Sequence, residues 1–212
     1  MINICEIFAS IQGESTLQGM ACIFVRLAGC NHDCVYCDTP YAREDGTPLS
    51  IEVILSRVRS FGIGFVCVTG GEPLCQNETP DLVDSLLTDG YRVSVETNGS
   101  FDAGILPENC IRIIDVKCPG SGEEKSFNEQ NILERRPSDE FKFVVSDRND
   151  FEYTRRFVSR YGLENSTTIL VSPVSGQLDT VELAEWLLAE LPCARLNLQL
   201  HRYIWPDESR GR

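Results

Sequence analysis

The sequence predicts an α/β fold: an open partial (β/α)6 barrel of mostly parallel strands, with an additional N-terminal strand and a C-terminal segment. Short apolar runs such as Phe65 to Val68 read as strands buried on both faces, as in parallel sheets. They alternate with stretches whose apolar residues recur at helical spacing. Six such alternations are fewer than the eight of a closed barrel, and right-handed crossovers put the helices outside the sheet.

In chain order, residues 2 to 8 alternate apolar and polar as a strand and run into a polar loop from Ser10 to Ser15. Cys22 to Leu27 is the next strand. Ser50 caps a helix through about Phe61, with Ile51, Ile54, Leu55 and Val58 on one face and Gly62 as its stop. Phe65 to Val68 ends in Thr69-Gly70-Gly71-Glu72-Pro73. Thr79-Pro80 reads as a cap followed by a first-turn proline, opening a helix that carries Leu82, Val83, Leu86 and Leu87 and stops at Gly90. Arg92 to Val95 and Ile111 to Val116 are strands, closed by Glu96-Thr97-Asn98-Gly99 and by Lys117-Cys118-Pro119-Gly120. Phe127 to Arg135 has moderate helix propensity, and Phe141 to Val145 is a strand ending in Ser146-Asp147. A helix from about Asp150 to Tyr161 stops at Gly162, and the strand Thr168 to Val171 ends in Ser172-Pro173-Val174-Ser175-Gly176. Asp179 caps the last long helix, and an alternating segment, Leu196 to Leu200, leads to His201. Composition marks Pro119 to Lys125 as a mobile loop.

A chain of 212 residues fits a single domain, 1–212, with a substantial core. The net charge of −13 opposes binding to a phosphate backbone, so nucleic acid is not an expected partner. No apolar stretch is long enough to span a bilayer, and the first twenty residues hold Glu6 and Glu14 without a basic leader. A cytoplasmic, non-membrane protein is expected. Its ten cysteines are diluted over a long chain, which favours reduced thiols over a disulfide scaffold. Cys5, Cys22, Cys67 and Cys193 lie in apolar segments and read as inert core residues; Cys75, Cys110 and Cys118 have no assigned role.

Cys30, Cys34 and Cys37, spaced C-x3-C-x2-C directly after a strand, carry the chemistry. Structural zinc and closed [4Fe-4S] sites each take four protein ligands. Three clustered thiolates point instead to a cluster with one iron left open. A Cys3His zinc site using His32, or three cysteines packed on a helical face, are the alternatives. The cysteine loop and the turns after five later strands should all meet on one rim, because parallel strands share their C-terminal end.

Cys30, Cys34 and Cys37, with Tyr36 just before the last of them and Gly70-Gly71-Glu72-Pro73 one βα unit later, resemble the radical S-adenosylmethionine (SAM) superfamily. Ser10-Ile11-Gln12-Gly13-Glu14, Arg26, Cys37-Asp38-Thr39, Glu96-Thr97-Asn98-Gly99, Asp115-Val116-Lys117-Cys118-Pro119 and Gln199-Leu200-His201 are similar, from end to end, to the 7-carboxy-7-deazaguanine synthase family. The resemblance implies a lyase that converts 6-carboxy-5,6,7,8-tetrahydropterin to 7-carboxy-7-deazaguanine with loss of ammonia, on the way to queuosine. It implies a [4Fe-4S] cluster on the three cysteines and reductive cleavage of SAM to a radical that takes a hydrogen from the pterin. It further implies Mg2+ held through Thr39, a reducing electron-transfer protein as partner, and a homodimer.

SAM contacts then map to Tyr36, Cys37, Asp38, Gly71, Glu72, Asp115, Val116, Lys117 and the turn Ser172, Pro173, Val174 and Ser175. Substrate contacts map to Ile11, Gln12, Gly13, Glu14, Arg26, Thr69, Gln199 and His201. Glu14 suits the donor edge of a guanine-like ring, and Arg26 suits a carboxylate. The bland readings are a surface ion pair for Arg26, a solvated lysine at Lys117, and backbone satisfaction by Gln199 and His201. Two departures stand out. Ser15 replaces a second glycine common in the family, which stiffens its loop, and Asp115-Val116 replaces the Ser-Pro of some members. The rival readings are a glycyl-radical activase acting on a protein and a non-catalytic metal-binding or redox-sensing module.

Overall fold

Strand alternation divides the residues of this protein between a helix-covered core and a concave face, and the computed structural model describes that division for residues 1–44, 46–206, 210 and 211. The strands are β1 (Ile2–Ile11), β2 (Ala21–Leu27), β3 (Thr47–Leu49), β4 (Phe65–Gly70), β5 (Arg92–Thr97), β6 (Ile111–Asp115), β7 (Glu140–Val145), β8 (Thr168–Pro173) and β9 (Arg195–Leu196). They form one sheet in the order β3-β1-β2-β4-β5-β6-β7-β8-β9. Every pair from β2 to β9 is parallel, and β1 runs antiparallel to both β2 and β3. The helices are α1 (Ile51–Arg59), α2 (Thr79–Thr88), α3 (Gln130–Leu133), α4 (Arg148–Tyr161), α5 (Thr180–Glu190) and α6 (Leu200–Ile204).

Along β2, Ile23, Val25 and Leu27 face the main core with Ile54 and Val58 of α1 and Leu82 and Leu86 of α2. Phe24 points the other way into a small cluster with Leu17, Cys22, Phe65 and Cys67, where Phe8 stacks on it at 5.1 Å. Arg26 shares that concave side, since strand side chains alternate. Further along the sheet, Phe151, Phe157, Leu183 and Leu187 bring α4 and α5 onto the same core as α1 and α2. Arg112 and Asp139, both fully buried, join β6 to the start of β7 through paired hydrogen bonds of 2.8 and 2.5 Å, a fork geometry that suits a buried ion pair.

Several boundaries differ from the sequence reading for reasons of tertiary contact. β1 continues to Ile11 because Ser10 and Ile11 pair with Cys22 and Ala21. β3 carries Pro48 and was not anticipated; it sits on the sheet edge, where a residue without an N–H is tolerated. Thr79 is not a cap but lies in the first turn of α2, its hydroxyl donating to Pro73 O at 2.6 Å. The helix expected over Phe127 to Arg135 shrinks to the single turn α3, because buried Asn131 turns its amide to Ala103, Gly99 and Phe101 backbone groups. Of the alternating segment Leu196 to Leu200 only Leu196 lies in a strand, joined in β9 by Arg195 before it, and the chain then turns into α6. Pro119 to Lys125 forms two 3-10 turns, pinned where Gly120 N donates to Asp150 Oδ1 at 2.8 Å and Val35 N to Ser121 O at 3.1 Å. Cys22 and Cys67 are buried, Cys5 is partly buried, and Cys193 is exposed and not a core residue.

Ser15 adopts φ 68°, and among the described residues it is the only one other than glycine with positive φ. That backbone conformation favours glycine, which has no Cβ penalty there. The serine compensates by accepting from Leu17 N at 3.0 Å.

Gly71 is required by a close approach of backbone. A methyl group there would strike Gly29 O and lie 2.8 Å from Cys30 Cβ, inside the cysteine loop. Gly71→Ala is therefore expected to cost about 1–3 kcal/mol by overpacking and to displace Cys30. Denaturant unfolding and iron content after anaerobic reconstitution should both fall; parental values for both would refute this account of the glycine.

Candidate active site

The loops at the C-terminal rim enclose a cavity of about 560 Å³. It receives Ile11 at the end of β1 and Gln12, Gly13 and Glu14 from the loop that follows, which the antiparallel β1 brings from the other end of the sheet, then Arg26 of β2 and the cysteine loop after it, and Thr69 and Gly71 at the end of β4. Asp115 and Lys117 enter from β6, Lys142 from β7, Val174 and Ser175 after β8, and Gln199 and His201 from the C-terminal segment.

At one end stand Cys30, Cys34 and Cys37. Gly29, at φ 94°, turns the chain into this loop, donating to Ala42 O and accepting from Glu72 N, both at 2.8 Å. Burial pushes the Cys30 and Cys34 thiols above their ordinary values, so these are not reactive free thiolates. Among the described residues, no three Cys, His, Asp or Glu side chains converge closely enough to hold one ion, as a Cys3His zinc site requires. A cluster instead distributes its thiolates over separate irons. His32 is 5 % exposed and neither ring nitrogen has a partner.

Charged groups fill the other end. Lys142 Nζ donates to Glu14 Oε2 at 2.7 Å and lies 3.6 Å from Asp115, while Gln199 Nε2 donates to Glu14 Oε1 at 2.8 Å. Burial raises the Glu14 carboxyl, but the Lys142 ammonium and the two donated hydrogen bonds outweigh it and bring it from 4.5 to about 2. Burial lowers the Lys142 ammonium, yet Glu14, Asp115 and Glu96 hold it well above its ordinary value. Lys117 donates to Asp115 Oδ2 at 2.9 Å, which leaves the other Asp115 oxygen buried without a partner. Glu96 accepts from Gln12 Nε2 at 3.2 Å and from Thr69 Oγ1 at 3.0 Å. Glu6 holds Arg26 by its Nε at 2.9 Å and also accepts from Tyr41.

Most of the residues singled out from sequence therefore meet in this cavity, including Tyr36, Asp38 and Thr39. Four do not line it. Glu72 is fully buried, accepting from Leu74 N, Thr97 Oγ1 and Asn98 N at 2.9, 2.8 and 2.5 Å, so its carboxylate is unavailable to a ligand. Val116 is buried in the core, and Ser172 Oγ accepts from Asn197 behind the sheet end. Pro173 is held in β8 by its pairing with Val145. Lys117 is a partly buried ion-pair member, not a solvated lysine, and Gln199 bonds a side chain, not the sheet edge. Lys142 was overlooked, although a lysine between Phe141 and Phe143 is the signal of a charge turned to the inner face.

Comparison with known proteins fits this geometry. A family model described as the radical SAM superfamily matches residues 24–119. A 7-carboxy-7-deazaguanine synthase of Chlorobaculum tepidum is 42% identical over 99% of this chain and 97% of its own length. The chain belongs to the 7-carboxy-7-deazaguanine synthase family of radical SAM enzymes. A second member, from Koribacter versatilis, is 39% identical over 99% of this chain and all of its own length. The crystal structure of QueE from Escherichia coli superposes with a TM-score of 0.79 at 25% identity, covering 93% of both chains. Membership of the 7-carboxy-7-deazaguanine synthase family brings a [4Fe-4S] cluster and SAM, and the residues present fit both. Three thiols line one end of the cavity, and the orphaned Asp115 oxygen offers an acceptor to a polar ligand. Iron would take the thiols as thiolates, overriding the effect of burial.

Lys142→Met removes the cation but not the burial of Glu14. Because the folded Glu14 pKa is depressed, its contribution to stability is complete above about 4.5 and is lost as pH falls through about 2. Urea unfolding should show a loss of about 3–5 kcal/mol at pH 7, narrowing as pH drops below 4.5. A penalty independent of pH would mean that the pair does not set Glu14's charge.

Proposed function

We propose that this protein converts 6-carboxy-5,6,7,8-tetrahydropterin to 7-carboxy-7-deazaguanine, releasing ammonia, in the route to queuosine and modified tRNA. The observation that carries the reading is end-to-end similarity to enzymes of that name, joined to a cavity whose charges are paired and oriented from within. The chemistry supplied by the bound cluster and SAM is radical initiation. Glu14, ionised at neutral pH by Lys142, accepts from the guanine-like edge of the pterin. Arg26, its plane fixed by Glu6, pairs with the substrate carboxylate. Gln12 and Thr69, both held by Glu96, complete the substrate side with Ile11, Gly13 and His201.

Cys30, Cys34 and Cys37 hold the cluster, and Tyr36, Asp38, Gly71, Asp115, Lys117, Val174 and Ser175 border SAM. Mg2+ binds through Thr39, whose side chain makes no capping hydrogen bond to the turn it precedes and lines the cavity. The reading includes a single catalytic domain, a reducing electron-transfer protein as donor, a homodimer and a cytoplasmic location. No helix among the described residues is long and apolar enough to cross a membrane.

The test is anaerobic reconstitution followed by incubation with dithionite, SAM and the carboxytetrahydropterin. Product formation is expected; SAM cleavage without pterin binding would favour an activase. Glu14→Gln turns an amide N–H2 toward the donors of Lys142 or Gln199, and charge-assisted hydrogen bonds are worth roughly 1.5–3 kcal/mol. Pterin affinity should drop about 10 to 100-fold with the iron content unchanged. Equal affinity would remove Glu14 from the substrate pocket. For Thr39→Ala, turnover should lose its dependence on magnesium while the cluster spectrum persists; a parental magnesium response would refute the metal assignment.

A further inference from the structure

His32 lies between two of the three cluster cysteines, and its own amide donates to Cys30 Sγ at 3.5 Å. The side chain is 5 % exposed and lines the cavity beside Cys30, Cys34 and Cys37. Both Nδ1 and Nε2 are buried without a hydrogen-bond partner, and buried polar groups are seldom left so. The neighbouring polar side chains do not supply one. Asn98 Nδ2 donates to Asn31 Oδ1 at 3.0 Å, and Lys117 donates to Asp115. The unmet donor capacity of the imidazole therefore faces the end of the cavity where the thiols stand.

We propose that the His32 ring donates a hydrogen bond to a sulfur of the [4Fe-4S] cluster and so raises the cluster's reduction potential. A donor at sulfur favours the reduced state, which carries one more negative charge, over the oxidised one. His32 is on this account a positioning and tuning residue, not an iron ligand. The inference rests on the cluster reading alone and is independent of the pterin.

The experiment uses the full chain, reconstituted anaerobically, with histidine labelled with 15N in the imidazole ring only, so that the His32 amide beside Cys30 Sγ is silent, and pulsed EPR of the reduced cluster. A weak histidine-nitrogen coupling is expected in the parent. It should vanish in His32→Phe and survive in His201→Phe, which removes the other of the two histidines. Redox titration of His32→Phe should give a more negative midpoint, with about a tenfold shift in the reduction equilibrium, or about 59 mV for one electron. His32→Gln, which keeps an N–H donor, should fall between. An unchanged midpoint, no nitrogen coupling in the parent, or the strong coupling of a directly ligating nitrogen would each overturn the proposal. If His32→Phe assembles no cluster, the parent coupling and the His32→Gln midpoint decide. A parent that takes up no iron would overturn the cluster reading as well, whereas a normal cluster indifferent to His32 would overturn this inference alone.

Discussion

The rim of this barrel is held together by Glu72. Its backbone N–H donates to Gly29 O at 2.8 Å, and its carboxylate collects Leu74 N, Thr97 Oγ1 and Asn98 N. Three successive loops, after β2, β4 and β5, are thereby joined through one buried residue, by its amide to the first and its carboxylate to the others. Burial raises its carboxyl, and the three donors partly offset that rise. Removing the side chain would leave buried N–H groups without acceptors at the base of the cysteine loop, a cost that falls where the geometry must be held. The glycines beside it serve the same purpose: Gly70 and Gly71 have no room for a Cβ against Leu27, Gly29 and Cys30.

With the rim fixed, the cavity can keep charges that water would otherwise screen. The chain is acidic overall, at −13, yet inside the site Arg26, Lys117 and Lys142 stand against Glu14, Asp115 and Glu96. Two of these pairings cross the sheet: the loop after β1 to β7 through Glu14 and Lys142, and β6 to β7 through Asp115 and Lys142. Such groups are oriented before any ligand arrives, which is how a site recognises a polar substrate without paying to reorganise. Gln199 extends the same network into the C-terminal segment and brings His201 against Gly13, where a side chain of any size would strike the imidazole.

The order of the elements and the gathering of the motifs were legible because both follow from local pattern: apolar runs mark strands, and parallel strands place their following turns on one rim. What was not legible depended on partners far along the chain. Glu72 looked like a ligand-binding residue because nothing in its own segment shows that Asn98 will reach it. The Gly- and Ser-rich stretch after β6 looked mobile because Asp150, which pins it, comes thirty residues later. Lys142 is a different case. Strand alternation turns it away from Phe141 and Phe143, which lie in the core, and toward the cavity.

The same contrast separates residues that hold the site from those that meet its ligands. Glu72 and Asn131 hold the site with their side-chain polar atoms matched within the protein. Residues that meet a ligand keep capacity in reserve, and in a buried setting that reserve is a free-energy penalty unless the ligand removes it. Asp115 Oδ1 and the two nitrogens of His32 are such reserves at the cavity. They lie in the loop that follows β2 and at the end of β6, where Asp115 is also within 3.6 Å of Lys142 Nζ. At the cavity these unmatched atoms are left for a ligand to satisfy, while the ion pairs, already matched, pre-shape its wall.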